Sequence, residues 1–120
     1  MTTMLCFATT TELVRIPGPA VVYISADGNY SVINTADRSK YVLTMQLGQV
    51  EKHIADSITV GDNRFIRIGK SLIVNRDFIT LINPYRQKLI LSDCRTFQHE
   101  VTASREALKA LKDLTEKEIK

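Results

Sequence analysis

The sequence predicts a mainly β fold: one domain of short strands with one internal amphipathic helix and one C-terminal helix. β-branched and aromatic runs of strand length recur along the chain and are separated by clusters of turn residues. Apolar residues recur at helical spacing in two stretches, residues 47–58 and 107–114. The 120 residues, 44% of them hydrophobic and 24% charged, suffice for one modest core but not for two.

A β meander is predicted for the first half of the chain. Its first strand covers Glu12 to Ile16 and ends at the breaker cluster Pro17-Gly18-Pro19. The threonine-rich residues 1–11 are expected to form one frayed strand at most. Turn signals at Asp27-Gly28-Asn29 and Asp37-Arg38-Ser39 separate the next strands. These strands are predicted at Ala20 to Ser25, Tyr30 to Thr35 and Tyr41 to Leu43.

The internal helix is predicted because Leu47, Val50, Ile54 and Ile58 lie at spacings of three and four residues. Thr44 is its expected N-cap residue, since a threonine hydroxyl can accept a hydrogen bond from the first helical turn. A helix of this pattern would pack its apolar stripe on the sheet.

Five short strands and the closing helix are predicted for the second half. Thr102 or Ser104 can cap the helix, and Glu106 in its first turn carries the charge that a helix N-terminus favours. The strands are predicted at Phe65 to Ile68, Leu72 to Val74, Phe78 to Ile82, Gln87 to Ser92 and Thr96 to Val101.

The composition favours a cytoplasmic protein. No apolar run approaches the ~20 residues of a membrane span. The first residues lack the basic start and apolar middle of a signal peptide. Cys6 and Cys94 are too few for a disulfide framework and are expected to be buried free thiols.

Positive charge is concentrated in the second half. Residues 64–105 contain eight Lys/Arg and three Asp/Glu, a balance of +5, whereas residues 1–63 contain four and six, a balance of −2. A basic segment of this kind is typical of a nucleic-acid-binding surface, although a solvated β surface that happens to be basic would look the same.

No catalytic or metal-binding motif stands out, so the protein is not expected to be an enzyme. His53 and His99 are the only histidines, and neither lies at metal-ligand spacing from a cysteine. The sequence contains neither a glycine-rich phosphate loop nor a nucleophile motif. No cofactor, metal or small-molecule substrate is expected.

Residues Arg64 to Asn75 read Arg-Phe-Ile-Arg-Ile-Gly-Lys-Ser-Leu-Ile-Val-Asn, two short strands joined at Gly69-Lys70-Ser71. This pattern resembles the signature of the LytTR-type DNA-binding domain of bacterial transcription regulators. Val22 to Tyr30 resembles the opening strand and loop of that family, and Ser104-Arg105 precedes the closing helix in the same order. The resemblance covers about Val21 to Leu114.

The resemblance implies an elongated, mostly antiparallel β domain at residues 20–120, preceded by an N-terminal extension and first short strand at residues 1–19. It also implies that DNA is read by loops. Two features depart from the family: Gly69 stands where many members carry histidine, and the connection at residues 58–63 is longer.

The DNA-contacting regions of the family fall on three stretches of this chain. In the first stretch, Asn29 can pair with an adenine edge, although its position in a hairpin turn explains the same residue. In the third stretch, Arg105 can pair with guanine, although an ordinary arginine in the first turn of a helix would look identical. The expected contact residues are Asn29, Tyr30 and Ser31; Arg67, Lys70 and Ser71; and Ser104, Arg105 and Lys109.

The function implied is that of a stand-alone, sequence-specific regulator of transcription that binds repeats in double-stranded promoter DNA and reads the major groove with loops. Self-association or a regulatory protein could control it; no membrane partner is expected. The alternative is a protein-interaction module on the same β fold, with weak or lost DNA binding.

Overall fold

The computed structural model describes residues 3–58 and 62–118, which form ten strands and two α-helices. All strand pairs are antiparallel, and the fold measures 41 × 33 × 28 Å along its principal axes. The predicted mainly β class with one internal and one C-terminal helix is confirmed. The elements are β1 (Met4–Ala8), β2 (Leu13–Pro17), β3 (Val21–Asp27), β4 (Tyr30–Thr35), β5 (Lys40–Leu43), α1 (Leu47–Ser57), β6 (Phe65–Ile68), β7 (Leu72–Asn75), β8 (Ile79–Asn83), β9 (Lys88–Ser92), β10 (Gln98–Thr102) and α2 (Arg105–Glu118).

The strands form three sheets, and the five-stranded sheet lies between the other two. The central sheet has five strands in the order β5-β4-β3-β7-β6, and it is flanked by the β1–β2 hairpin and by a three-stranded sheet in the order β10-β9-β8. Strands β3 and β7 lie inside the central sheet, and β7 is buried along its whole length. Both faces of the central sheet therefore carry a hydrophobic core.

One core lies between the central sheet, the β1–β2 hairpin and α1. Leu5 and Phe7 of β1 are fully buried there, together with Val50 and Ile54 of α1. The alternation of these two buried residues with exposed Cys6 fits a strand that packs one face inward. The single strand expected in residues 1–11 is therefore present, but it packs in the core and is not frayed.

The second core lies on the opposite face of the central sheet. Leu72 and Val74 of β7 pack there with Leu89 of β9 and with Leu108 and Leu111 of α2. Because α2 covers the join between the central and three-stranded sheets, its first turn is held in a fixed place on the surface.

Several local expectations are corrected. Gln46, not Thr44, is the N-cap residue of α1, and its backbone N–H donates to Gln49 Oε1 at 3.1 Å. Phe78 lies in a 3₁₀ turn, so β8 begins at Ile79. Cys6 and Cys94 are both exposed free thiols, because Cys6 lies on the outer face of β1 and Cys94 lies in a loop.

Ser104 is confirmed as the cap of α2, since its Oγ accepts from the backbone N–H of Ala107 at 3.2 Å. Half of the longer connection inferred at residues 58–63 falls on residues 59–61, which lie outside the described residues.

Candidate nucleic-acid interface

Two of the three predicted contact stretches are turns at the same end of the central sheet. The β3–β4 turn follows Asp27, which pairs with Tyr30, and the β6–β7 turn lies between Ile68 and Leu72. The backbone N–H of Ala26 donates to the carbonyl of Ser71 at 2.9 Å. This bond holds the two turns side by side.

Glycine is suited to both turns because the backbone is left-handed there. Gly28 has φ = +62° and Gly69 has φ = +60°, a region that residues with a Cβ atom rarely adopt. There is open space around a Cβ built at Gly69, so the backbone and not crowding favours glycine.

The β3–β4 turn presents Asn29 and Tyr30 to solvent. The Tyr30 side chain is 49% exposed although it begins a strand. Asn29 Oδ1 accepts from the side-chain amide of Gln46 at 3.3 Å, which links the turn to the start of α1. The Asn29 amide nitrogen keeps its donors available for an acceptor outside the protein.

Ser31 is not part of this exposed surface. Its side chain is fully buried, and its hydroxyl donates to the carbonyl oxygen of Met45 at 2.9 Å. A buried hydroxyl with its donor already used cannot reach a nucleic acid, so Ser31 leaves the set of candidate contacts. It ties β4 to the segment that enters α1.

The Arg67 side chain supports the β6–β7 turn. Its guanidinium donates to the carbonyls of Gly69 at 3.2 Å and Lys70 at 3.1 Å, and to Glu51 Oε1 at 2.8 Å. The side chains of Lys70 and Ser71 point outward from this turn, and in the described part of the chain neither makes a hydrogen bond or ion pair. The turn therefore presents an unneutralised cation on a braced backbone.

The third stretch is built at the start of α2. Arg105 lies over the ring of Tyr85, with its guanidinium carbon 5.7 Å from the ring centre, and its Nη2 donates to the Tyr85 carbonyl at 3.4 Å. Tyr85 belongs to the β8–β9 turn and is 83% exposed. Lys109 lies one helical turn after Arg105 and lines the same groove of about 350 Å³.

Tyr85 is a candidate site residue that the sequence analysis did not identify. Its only local signal is the turn sequence Asn83-Pro84-Tyr85, which explains an exposed aromatic residue without a function. Its role follows from Arg105, twenty residues later, which it orients by stacking and by its carbonyl.

The three stretches are not joined into one contact network. No hydrogen bond or ion pair within residues 3–58 and 62–118 links Arg105 to either turn of the central sheet. An ion pair between Arg76 and Glu118 holds the end of α2 beside the far end of β7. The first turn of α2 lies about 20 Å along the helix from that pair.

The described residues provide no candidate metal centre or membrane span. No group of three or more His, Cys, Asp or Glu side chains among them could hold a metal ion. None of the helices in the described segments is long and apolar enough to cross a membrane.

Known proteins agree with this fold. A LytTr DNA-binding domain from Bacillus cereus is similar in structure, with a TM-score of 0.65 at 20% sequence identity over 96% of this chain and 98% of that chain. No curated protein sequence matches this chain. At 20% identity this structural likeness shows the shared fold and nothing further.

The family model described as the LytTr DNA-binding domain matches residues 11–116, nearly the whole chain. The protein therefore belongs to the LytTr DNA-binding domain family. The resemblance inferred from Arg64–Asn75 and its neighbours is confirmed.

Proposed function

We propose that this protein is a sequence-specific regulator of transcription that binds double-stranded DNA with loops instead of a recognition helix. Family membership supports DNA as the partner. The observation that carries the finer proposal is the pairing of two rigid turns, which presents Asn29, Tyr30, Lys70 and Ser71 side by side.

In this proposal the β6–β7 turn binds the DNA backbone. Lys70 neutralises a phosphate, and Ser71 donates its short hydroxyl to a phosphate oxygen. Arg67 holds the turn instead of contacting DNA, because three acceptors of the protein already engage its guanidinium. The basic balance of residues 64–105 supplies the long-range attraction.

Base reading is assigned to Arg105 and to Asn29. Arginine pairs bidentately with guanine O6 and N7, and asparagine with adenine N6 and N7, both in the major groove. The Tyr85 ring beneath Arg105 restricts the guanidinium plane before DNA binds, which lowers the entropic cost of a bidentate contact. Ser104 at the helix entry and Lys109 one turn later supply backbone contacts.

A protein-interaction module remains the second candidate, and one observation favours it. Strand β5 is an edge of the central sheet, and its neighbouring residues Tyr41 and Val42 are 41% and 56% exposed. Exposed apolar side chains on an unpaired strand edge suit strand addition by a protein partner. In that case DNA would bind weakly or without sequence preference.

The test begins with selection of a preferred duplex from a random pool, followed by fluorescence anisotropy on the selected and scrambled duplexes. Arg105→Ala should weaken the selected duplex by about 1–3 kcal/mol and the scrambled duplex much less. Ser71→Ala should weaken both duplexes slightly and equally, as loss of a neutral phosphate contact requires.

Arg15→Ala is the matched control, because Arg15 is exposed on β2, away from all three stretches. Equal weakening of both duplexes by Arg105→Ala would make Arg105 a phosphate contact and leave base reading to Asn29. Failure of the selection to enrich any sequence would favour the interaction module.

A further inference from the structure

A second basic site lies away from the proposed DNA contacts. The β4–β5 turn and the β9–β10 loop enclose an open cleft of about 640 Å³. Arg38 enters it from the central sheet and Arg95 from the three-stranded sheet, while no acidic residue lines it. Arg38 Nε donates to the Thr96 carbonyl at 3.0 Å, so the two sheets are tied together at this cleft.

The cleft is separated from both DNA-contacting ends of the molecule. The β4–β5 turn lies at the opposite end of β4 from the Asn29 turn, and β4 spans about 20 Å. The β9–β10 loop likewise lies at the opposite end of β9 from the Tyr85 turn. A duplex bound to the three proposed stretches would leave this cleft open.

The side chains in the cleft have unused hydrogen-bonding capacity. Arg38 uses its Nε and Nη2 on Thr96, which leaves its Nη1 donors without a partner in the described residues. The Arg95 side chain makes no hydrogen bond or ion pair with them either. His99 also lines the cleft, and its Nε2 is buried without a hydrogen-bond partner.

Two nearby carboxylates are already engaged by their own loops. Asp93 accepts from the backbone N–H groups of Arg95, Thr96 and Phe97 and from the Thr96 hydroxyl. These bonds, the Thr96 hydroxyl first, hold its pKa well below the usual range. Asp37 accepts from the Thr35 hydroxyl and the Ser39 N–H, which lower its pKa in the same way. Both carboxylates shape the loops and leave the arginines facing the cleft.

We propose that this cleft binds the phosphate or carboxylate group of a small molecule between Arg38 and Arg95. Guanidinium groups match the planar geometry of such oxyanions and bind them with charge-assisted hydrogen bonds. Because Arg38 and Arg95 come from different sheets, an anion between them would tighten the contact that Thr96 already makes.

The test is an NMR titration of the ¹⁵N-labelled protein with inorganic phosphate and, separately, with acetate. Either anion should produce saturable shifts in the amides of residues 94–99 and in the Arg38 and Arg95 side chains. Arg95→Gln should weaken this binding by about fivefold or more, as loss of a charge-assisted contact implies. Saturation with one anion and not the other identifies which oxyanion the cleft takes.

Arg86→Gln is the control, since Arg86 is exposed on the β8–β9 turn at the other end of the sheet. The Arg86→Gln variant should bind the anion with the same affinity as the parent protein. Arg95→Gln removes no internal bond, so it should fold normally, as the unchanged remainder of its spectrum would verify.

The addition of duplex DNA separates this proposal from the proposed function. Anion shifts that persist with DNA bound support a second, independent site. Displacement of the anion by DNA, absence of saturable shifts in the cleft, or equal weakening by Arg86→Gln would overturn it, whether or not the protein reads a DNA sequence.

Discussion

Replacement of Arg67 by alanine decides whether this residue supports the β6–β7 turn or contacts DNA. The guanidinium makes one ion pair with Glu51 and two hydrogen bonds to the turn carbonyls of Gly69 and Lys70. A surface ion pair contributes about 0–1 kcal/mol, and each of the two solvent-exposed carbonyl bonds contributes about 0.5 kcal/mol. Because the side chain is 29% exposed, we expect Arg67→Ala to lower the free energy of unfolding by about 1–2 kcal/mol.

The same substitution should weaken DNA binding without changing its salt dependence. A looser turn costs affinity through lost preorganisation, up to about tenfold. Each phosphate contact contributes about −0.9 to the slope of log affinity against log salt, so a residue that touches no phosphate leaves the slope unchanged. Urea unfolding and anisotropy across a salt series measure the two quantities.

Glu51→Gln is the matched control, since it removes the ion pair and keeps both carbonyl bonds. It should cost no more than about 0.5 kcal/mol of stability and leave the salt slope as it was. The reasoning is refuted if Arg67→Ala leaves stability unchanged and makes the slope shallower by about 0.9, because Arg67 would then bind phosphate directly.

Three further predictions concern residues whose positions the structure defines. Ser31→Ala should destabilise the fold by about 1–3 kcal/mol, because the buried Met45 carbonyl loses its hydrogen-bond partner. The DNA affinity of the folded variant should stay the same, and weaker DNA binding by a fully folded variant would contradict this prediction. Phe7→Ala should cost about 3–5 kcal/mol in chemical unfolding, and a loss below 1 kcal/mol would mean that β1 lies outside the domain core. An NMR titration should find the pKa of His99 below its ordinary value, with burial as the larger cause and the charge of Lys40 as the smaller one. Lys40→Gln should raise the pKa of His99 only partly. Since the fold favours neutral His99, its stabilising effect should be present above about pH 6.5 and lost as the pH falls through the folded pKa.

The elements that the sequence predicted accurately are those specified by local pattern. The runs Phe65–Ile68 and Leu72–Asn75 alternate or cluster apolar residues on either side of a glycine turn, and the strands form at those positions. The spacing of Leu47, Val50 and Ile54 likewise predicted α1, because a stripe of this kind needs only a sheet to cover it.

The wrong predictions concern residues whose surroundings depend on distant parts of the chain. Ser31 looks like an exposed strand residue, and only the approach of Met45, fourteen residues later, buries its hydroxyl. The ion pair of Arg67 was likewise not foreseen, because only the packing of α1 brings Glu51 beside it; the prediction that Arg67 contacts DNA remains a prediction. Thr44 was expected to cap α1 because threonine is a favoured capping residue. The helix begins two residues later than this choice implies, and Gln46 is its N-cap residue.

The central claim, that this surface binds duplex DNA, is tested most directly by the salt dependence of binding. With four to six phosphates neutralised, log affinity for the selected duplex should fall against log salt with a slope of roughly −4 to −5. Anisotropy of a labelled duplex across a salt series measures this slope. A salt-independent signal, or no binding to any duplex at low salt, would contradict the account.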